Sequence, residues 1–302
     1  MRVGMTGATG FLGRRLVARL VARGDEVTAF ARSPERAQGL LGSPVQAVAW
    51  DSARVAPPET LSGLDAVVHL AGETVVGLWT AGKKRRIRDV RVAGTRNFVE
   101  GLRRAQPRPR ALLSASASGF YGDGGDAVLT EDSPRGRGFL ADLCVEWEAE
   151  ARAAESLGVR VVLLRISLPL DPAGGLLRGM LPPFRLGLGM VLGSGRQWMP
   201  WIHMEDWLDL VLFALDHDAA RGPLNLAAPE PVTNREFTRA LASALGRPAF
   251  LRIPAWALAR LGEQGREGAL VSQRIVPARA RDLGFAFRHP EMGAALRDLL
   301  KR

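Results

Sequence analysis

Apolar positions along this chain alternate between two periods. The short apolar run Val3-Gly4-Met5 leads into Thr6-Gly7-Ala8-Thr9-Gly10-Phe11-Leu12-Gly13, after which apolar residues recur at Leu12, Leu16, Val17 and Leu20 until Gly24. The first pattern predicts a strand and the second a helix over Phe11–Arg23, joined by a glycine-spaced turn. Strand-like runs follow at Glu26 to Phe30, Val45 to Trp50, Ala66 to Leu70, Ala111 to Ser114, Val159 to Arg165 and Leu224 to Ala227. Helical patterns lie near 34–41, 80–105 and 139–157 and from Glu205 to Asp216. This alternation predicts an α/β fold, a doubly wound parallel sheet with helices on both faces. After Ile166 the pattern breaks: Pro169, Pro172, Pro182-Pro183, Gly187, Gly189, Gly193 and Gly195 interrupt every run. That segment reads as loops and short strands of a smaller C-terminal α/β lobe, with mostly short helices from Thr233 on. The expected division is 1–167 as one domain, with 204–228 returning to it, and 168–203 with 229–302 as the lobe.

The turn after the first strand carries chemistry. Gly7 permits the tight turn, Gly10 lets backbone approach a pyrophosphate, and Gly13 lets the helix pack closely on the sheet. Amides at the helix start then face the anion, the phosphate cradle of a Rossmann domain, with Thr6, Phe11 and Leu12 flanking it. Cofactor choice is set where the second strand ends. An NAD site needs a carboxylate there, and this chain has Phe30-Ala31-Arg32-Ser33. A guanidinium at Arg32, beside Ala31, bonds a ribose 2′-phosphate and favours NADP(H). Ser33-Pro34 also reads as the N-cap and first turn of the next helix. Asp51 either accepts from the adenine amine or serves as a turn carboxylate.

Composition narrows the partners. The 302 residues are 47% hydrophobic, enough for a sizeable core. The formal charge of +10 comes from 38 arginines and three lysines scattered over the whole length, a choice that looks like codon bias. The one dense run, Lys83-Lys84-Arg85-Arg86-Ile87-Arg88, falls on a helix without the interleaved aromatics that stack bases. No nucleic-acid partner is expected. A single cysteine, Cys144, fits a reducing compartment, and no stretch approaches the ~20 apolar residues of a membrane span, so a cytoplasmic protein with no membrane partner is expected. The expected state is monomer or homodimer.

Further motifs point to a family. They are Val68-His69-Leu70-Ala71-Gly72-Glu73, the serine-rich Ser114 to Gly122, Leu181-Pro182-Pro183-Phe184-Arg185-Leu186-Gly187-Leu188-Gly189, Gly193-Ser194-Gly195-Arg196-Gln197, Trp201-Ile202-His203-Met204-Glu205-Asp206, Val276 to Arg279 and Leu283 to Arg288. Together with the glycine turn they resemble the extended, atypical short-chain dehydrogenase/reductases, specifically the YfcH-like NAD(P)-dependent epimerase family. The resemblance implies that Leu70, Ala71 and Gly72 line the adenosine side, that Arg91 reaches the cofactor and that Leu168 lies near the nicotinamide, with the lobe closing over it. It also exposes a departure. The superfamily's proton donor is a tyrosine followed four residues later by a lysine; Phe139 stands at the tyrosine position and Leu143 or Cys144 at the lysine position. The remaining catalytic candidates are Ser116 or Ser118 as a carbonyl hydrogen-bond donor, and Tyr121 or Glu73 as the acid/base. Arg185, Arg196 and His203 are candidates for holding an anionic or sugar-like small molecule. No cluster shows metal-ligand spacing, and no metal is expected. Two functions remain open: an NADP-dependent oxidoreductase or epimerase with an unusual acid, and a non-catalytic NADP-binding sensor.

Overall fold

A computed structural model describes residues 1–75, 77–260 and 262–301. The first strand β1 (Arg2–Thr6) leads to α1 (Phe11–Ala22), β2 (Glu26–Ala31), α2 (Pro34–Leu41), β3 (Val45–Ala49) and β4 (Ala66–His69). The basic helix α3 (Ala81–Arg88) runs through a π-turn, Asp89–Ala93, directly into α4 (Gly94–Arg104). Strand β5 (Ala111–Ala117), α5 (Phe139–Arg152) and β6 (Arg160–Ile166) follow, then α6 (Gly175–Arg185), α7 (Met204–Asp216), β7 (Gly222–Leu226), α8 (Asn234–Leu245) and α9 (Met292–Leu300).

The seven strands form one sheet in the order β7-β6-β5-β4-β1-β2-β3. Strand β1 lies parallel to both β2 and β4, with Thr6 level with Phe30 on one side and His69 on the other. The sheet order therefore departs from the middle in both directions, and the strand ends at Thr6, Phe30 and His69 line up at the switch point where such folds bind ligands. Buried runs of apolar residues in β1, β2 and β4 fit a sheet covered on both faces. Phe30, Trp50 and Phe98 meet edge-on beneath this end, with ring centroids 5.4–5.7 Å apart. At α1 the buried positions are Gly13, Leu16, Val17 and Leu20, three of which belong to the stripe read from the sequence, while Leu12 is only half-buried.

By contacts the chain separates into two compact units: Met1–Ser116 with Leu143–Leu164 and Val211–Pro223, and Ala117–Asp142 with Arg165–Leu210 and Leu224–Arg302. The second unit has a core of its own, in which Leu177, Leu181 and Phe184 of α6, Phe237 and Leu241 of α8, and Met292 and Leu296 of α9 are buried together. It also gathers Ala117–Asp142. One expectation fails outright. The segment after Ile166 holds a regular helix, α6, with Pro182 and Pro183 inside it. Buried Leu177, Leu181 and Phe184 at helical spacing hold it in place against the loss of two backbone donors.

Candidate functional site

The glycine turn is built by close approach of backbone to backbone. Gly7 adopts a positive φ of 66°, and a Cβ there would lie 2.6 Å from the Leu70 carbonyl oxygen. At Gly13 a Cβ would lie 2.1 Å from the Gly7 carbonyl oxygen, so only glycine lets α1 start this close to the strand. Gly10 is different: its Cβ would meet only the Gly7 oxygen, at 3.2 Å. It is the N-cap of α1 with no side-chain cap, and no acidic residue stands in the first turn. The helix therefore presents unpaired amides and its positive dipole end, the arrangement that suits a phosphate.

A cleft of about 330 Å³ opens at this point, lined in part by Gly7, Gly10, Ala31, Arg32, Leu70, Ala71, Gly72 and Glu73. Trp50, Ser52 and Val90 also line it, none of which the sequence singles out. Arg32 is exposed, and among the described residues its guanidinium has no hydrogen bond or ion pair. Ser33 accepts from the Arg36 amide as the N-cap of α2, and Asp51 accepts from the Ala53 amide, so both have local structural work.

A buried polar chain supports the cleft from behind. The Ala71 amide donates to Thr6 Oγ1 at 3.0 Å, and that hydroxyl lies 2.9 Å from His69 Nδ1. His69 Nε2 lies 3.1 Å from Thr95 Oγ1, which also accepts from the Trp147 indole at 2.9 Å. Burial pushes the His69 pKa down to about 4, so the ring is neutral at physiological pH, donating to one threonine and accepting from the other. Thr95 follows the π-turn that carries Arg91. The Arg91 guanidinium donates to the Glu73 carbonyl at 2.8 Å, lies 5.2 Å from the Trp147 ring centroid and backs onto Gly72. Sequence periodicity reads 80–105 as one helix; the π-turn within it is a distortion of the kind that recurs at functional sites.

The acid/base candidates are placed less favourably. Ser116 is buried, and its hydroxyl donates to the buried Glu148 carboxylate at 2.7 Å. The Tyr121 hydroxyl donates to Asn225 at 2.6 Å and accepts from Arg165 at 3.0 Å, and burial pushes its pKa up to about 12. Such a phenol is a hub of the core rather than a proton donor to a ligand. Glu73 accepts from Lys83 at 2.8 Å, a hydrogen bond that holds its carboxyl below the usual range and leaves it ionised, the wrong form for an acid. Ser118, half-buried, is the exception: its hydroxyl makes no hydrogen bond among the described residues. Phe139 begins α5, and its amide and that of Leu140 donate to Glu267, a partner 128 positions on from Phe139 that no local pattern signals.

In the second unit, Leu168 pairs with Trp201 in a short parallel ribbon, 168–170 with 201–203. Arg185 ends α6 with its side chain exposed, and Arg196 is exposed in the turn after Gly195. His203 is buried, stacked on His289 at 3.7 Å, and its Nε2 lies 3.3 Å from Asp298 Oδ2. The sequence spacing gives no hint of this His203, His289, Asp298 cluster, whose ligand-type atoms lie within 4.8 Å of one another. The donor set nevertheless suits a proton better than a metal. His203 Nδ1 accepts from the Glu205 amide, so in the neutral ring Nε2 carries the hydrogen, 3.3 Å from Asp298 Oδ2 but without hydrogen-bond geometry to it. Through Nδ1, His203 caps the start of α7.

Comparisons with known proteins identify the family and the fold. The NAD dependent epimerase/dehydratase family matches residues 3–227, and a domain of unknown function, DUF1731, matches residues 253–299. Epimerase family protein Mb2239 of Mycobacterium bovis is 40% identical over 97% of this chain and 96% of its own. The crystal structure of human epimerase family protein SDR39U1 (isoform 2) with NADPH superimposes with a TM-score of 0.88 at 33% identity, covering 100% of both chains. A nucleoside-diphosphate sugar epimerase from Corynebacterium glutamicum gives a TM-score of 0.80 at 33% identity over 99% of this chain and 58% of that one. The family match over residues 3–227 and end-to-end relatives place the chain in the NAD dependent epimerase/dehydratase family, among its atypical short-chain dehydrogenase/reductase members.

Proposed function

We propose that this chain binds NADP(H) and acts as an oxidoreductase or epimerase on a small carbonyl or sugar-like substrate. The observation that carries the cofactor half is Arg32: an exposed guanidinium without an internal partner, at the strand end where an NAD site needs a carboxylate. The human relative crystallised with NADPH supports it. When bound, the cofactor supplies or accepts a hydride. The chain's own residues would hold its pyrophosphate on the amides of α1, beside Thr6, Phe11 and Leu12, and keep Leu70, Ala71 and Gly72 against the adenosine. Arg91 would secure the Gly72-Glu73 backbone.

Ser118 is the hydroxyl we assign to the substrate carbonyl, because Ser116 and Tyr121 are hydrogen-bonded internally and Ser118 is not. Arg196 is the cation we assign to an anionic substrate group. With Tyr121 and Glu73 occupied, the proton that accompanies hydride transfer comes from water. The lone cysteine supports a reducing, cytoplasmic setting. The same occupied groups favour a second reading, a non-catalytic NADPH-binding sensor. One experiment separates the two. Protein loaded with NADPH is challenged with carbonyl compounds and nucleoside-diphosphate sugars, following absorbance of the reduced nicotinamide and product formation. Turnover lost in Ser118→Ala with unchanged NADPH affinity supports the enzyme, and silence across the panel with tight NADPH binding supports the sensor.

A further inference from the structure

The second unit carries an apolar surface that no part of the function described above uses. Leu186 is 76% exposed, Phe250 75% and Trp256 63%, with Leu188 at 47%. The first two and Leu188 are neighbours through the fold. Residues 190–192 and 251–253 form a two-stranded parallel ribbon in which Met190 faces Leu251, so Leu186–Gly189 and Pro248–Phe250 lead into it side by side. A Cβ at Gly187 would lie 3.5 Å from the Pro248 ring and one at Gly189 2.8 Å from the Ala249 Cβ, so the two leading segments touch along their length. Trp256 stands past the other end of the ribbon, with the Arg260 guanidinium 5.1 Å from its ring centroid.

The charge around these residues has one sign. Between Pro172 and Met204, and again between Phe237 and Gly262, the sequence holds seven arginines and not one aspartate or glutamate. Arg185, Arg247, Arg252 and Arg260 border the apolar side chains, and all four are exposed. Among the neighbouring acids, Glu236 serves the capping box of α8, Glu267 the Phe139 and Leu140 amides and Asp298 lies beside His203, while exposed Glu263 follows directly after Gly262. Other acid-free stretches, such as 1–24 and 101–122, also hold arginines; here the arginines stand beside exposed leucine and aromatic side chains. Exposed leucine, phenylalanine and tryptophan among arginines without acids match the two requirements of reversible attachment to a lipid surface, shallow apolar insertion and attraction to anionic headgroups.

We propose that this face docks on an anionic lipid surface, the leucines and aromatic rings entering the headgroup boundary and the arginines pairing with lipid phosphates. No helix among the described residues is long and apolar enough to cross a membrane, so the attachment is peripheral. The test is co-sedimentation of the full chain with phosphatidylcholine vesicles with and without phosphatidylglycerol, at low salt and at ~0.15 M salt. Binding is expected only with phosphatidylglycerol and weaker at the higher salt. The double variant Leu186→Ser/Phe250→Ser should release the protein while keeping NADPH affinity, and Phe250→Leu should retain attachment. Arg247→Glu and Arg260→Glu should each lower the partition about fivefold or more, the effect of one basic residue near an anionic surface. Equal binding to both vesicles, no binding to either, or an unchanged double variant would overturn the proposal. Retention on a DNA duplex with the vesicles ignored would overturn it in favour of a nucleic-acid partner.

Discussion

The glycine turn after β1 and the serine-rich end of β5 are two strand ends of one sheet, and they treat their polar groups in opposite ways. At the turn, side chains are removed: Gly7, Gly10 and Gly13 strip the backbone so that α1 begins without a cap and its amides remain open. After β5, side chains are present and satisfied: Ser116 is held by Glu148, and Tyr121 by Asn225 and Arg165. Open donors bind a ligand, whereas buried and paired donors stabilise a fold. The contrast teaches that the chain has kept the means of holding a dinucleotide, while the hydroxyls that motif matching would assign to catalysis serve the core. Ser118 alone breaks the second half of the pattern.

The largest test of this contrast is Gly10→Val. The Cβ would meet only the Gly7 oxygen, at a tight 3.2 Å that asks a few tenths of an ångström of the turn, and a branched side chain at this N-cap would crowd the open amides of α1. NADPH binding should fall below detection in calorimetry while circular dichroism remains native; normal affinity would move the cradle elsewhere.

Acid should weaken the polar chain behind the cleft. His69 has its pKa lowered from 6.5 to about 4 in the folded state, so its contribution is complete above pH 6.5 and is lost as the pH falls toward 4. The full shift corresponds to about 3 kcal/mol. Urea unfolding at pH 7 and pH 4.5 should show that loss, and His69→Asn should be less stable at pH 7 but flatter with pH. A variant with the same pH slope as the parent would show that another group carries the acid sensitivity.

Cofactor selectivity comes next in size. Arg32→Ala should weaken NADPH by roughly 1.5–3 kcal/mol, the value of a charged hydrogen bond, and leave NADH nearly unchanged. Equal affinities for the two cofactors in the parent protein would remove the 2′-phosphate from Arg32.

The smallest effect is the most discriminating. Tyr121→Phe should cost about 1–2 kcal/mol of stability, for a buried hydroxyl whose partners Asn225 and Arg165 lose it. NADPH affinity and any turnover should persist. A general acid would instead lower turnover by ~10²–10⁴-fold, and that outcome would restore Tyr121 to the site.

Much of the first region was legible before the structure. The succession of strands and helices follows from alternating periodicities at Val3 to Leu20 and Glu26 to Phe30, because burial on a strand or a helix repeats at fixed intervals. The glycine turn was legible because backbone contact leaves no alternative to glycine at Gly7 and Gly13. The element that was misread is held by tertiary packing, and one element whose start was read correctly has a cap the sequence did not show. Helix α6 survives Pro182 and Pro183 through its packed leucines and Phe184, and the start of α5 is capped by Glu267 from far along the chain. Periodicity reports what a residue prefers locally; it cannot report a compensating contact from another element.

By itself the sequence determined the α/β order, the glycine-spaced turn after the first strand, Arg32 at the end of the second, and Phe139 with Leu143 or Cys144 where the resemblance would set a tyrosine and a lysine. These are statements about which residue stands where in a short motif, and local geometry is enough to interpret them. Only the tertiary structure decided what the polar side chains are doing. It joined Ser116 to Glu148, Tyr121 to Asn225, Glu73 to Lys83 and His203 to Asp298, and it left Ser118 and Arg32 without such partners. A hydroxyl or carboxylate has the same chemistry whether it faces a ligand or a buried partner, and the long-range contacts that choose between these leave no mark on its own stretch of chain.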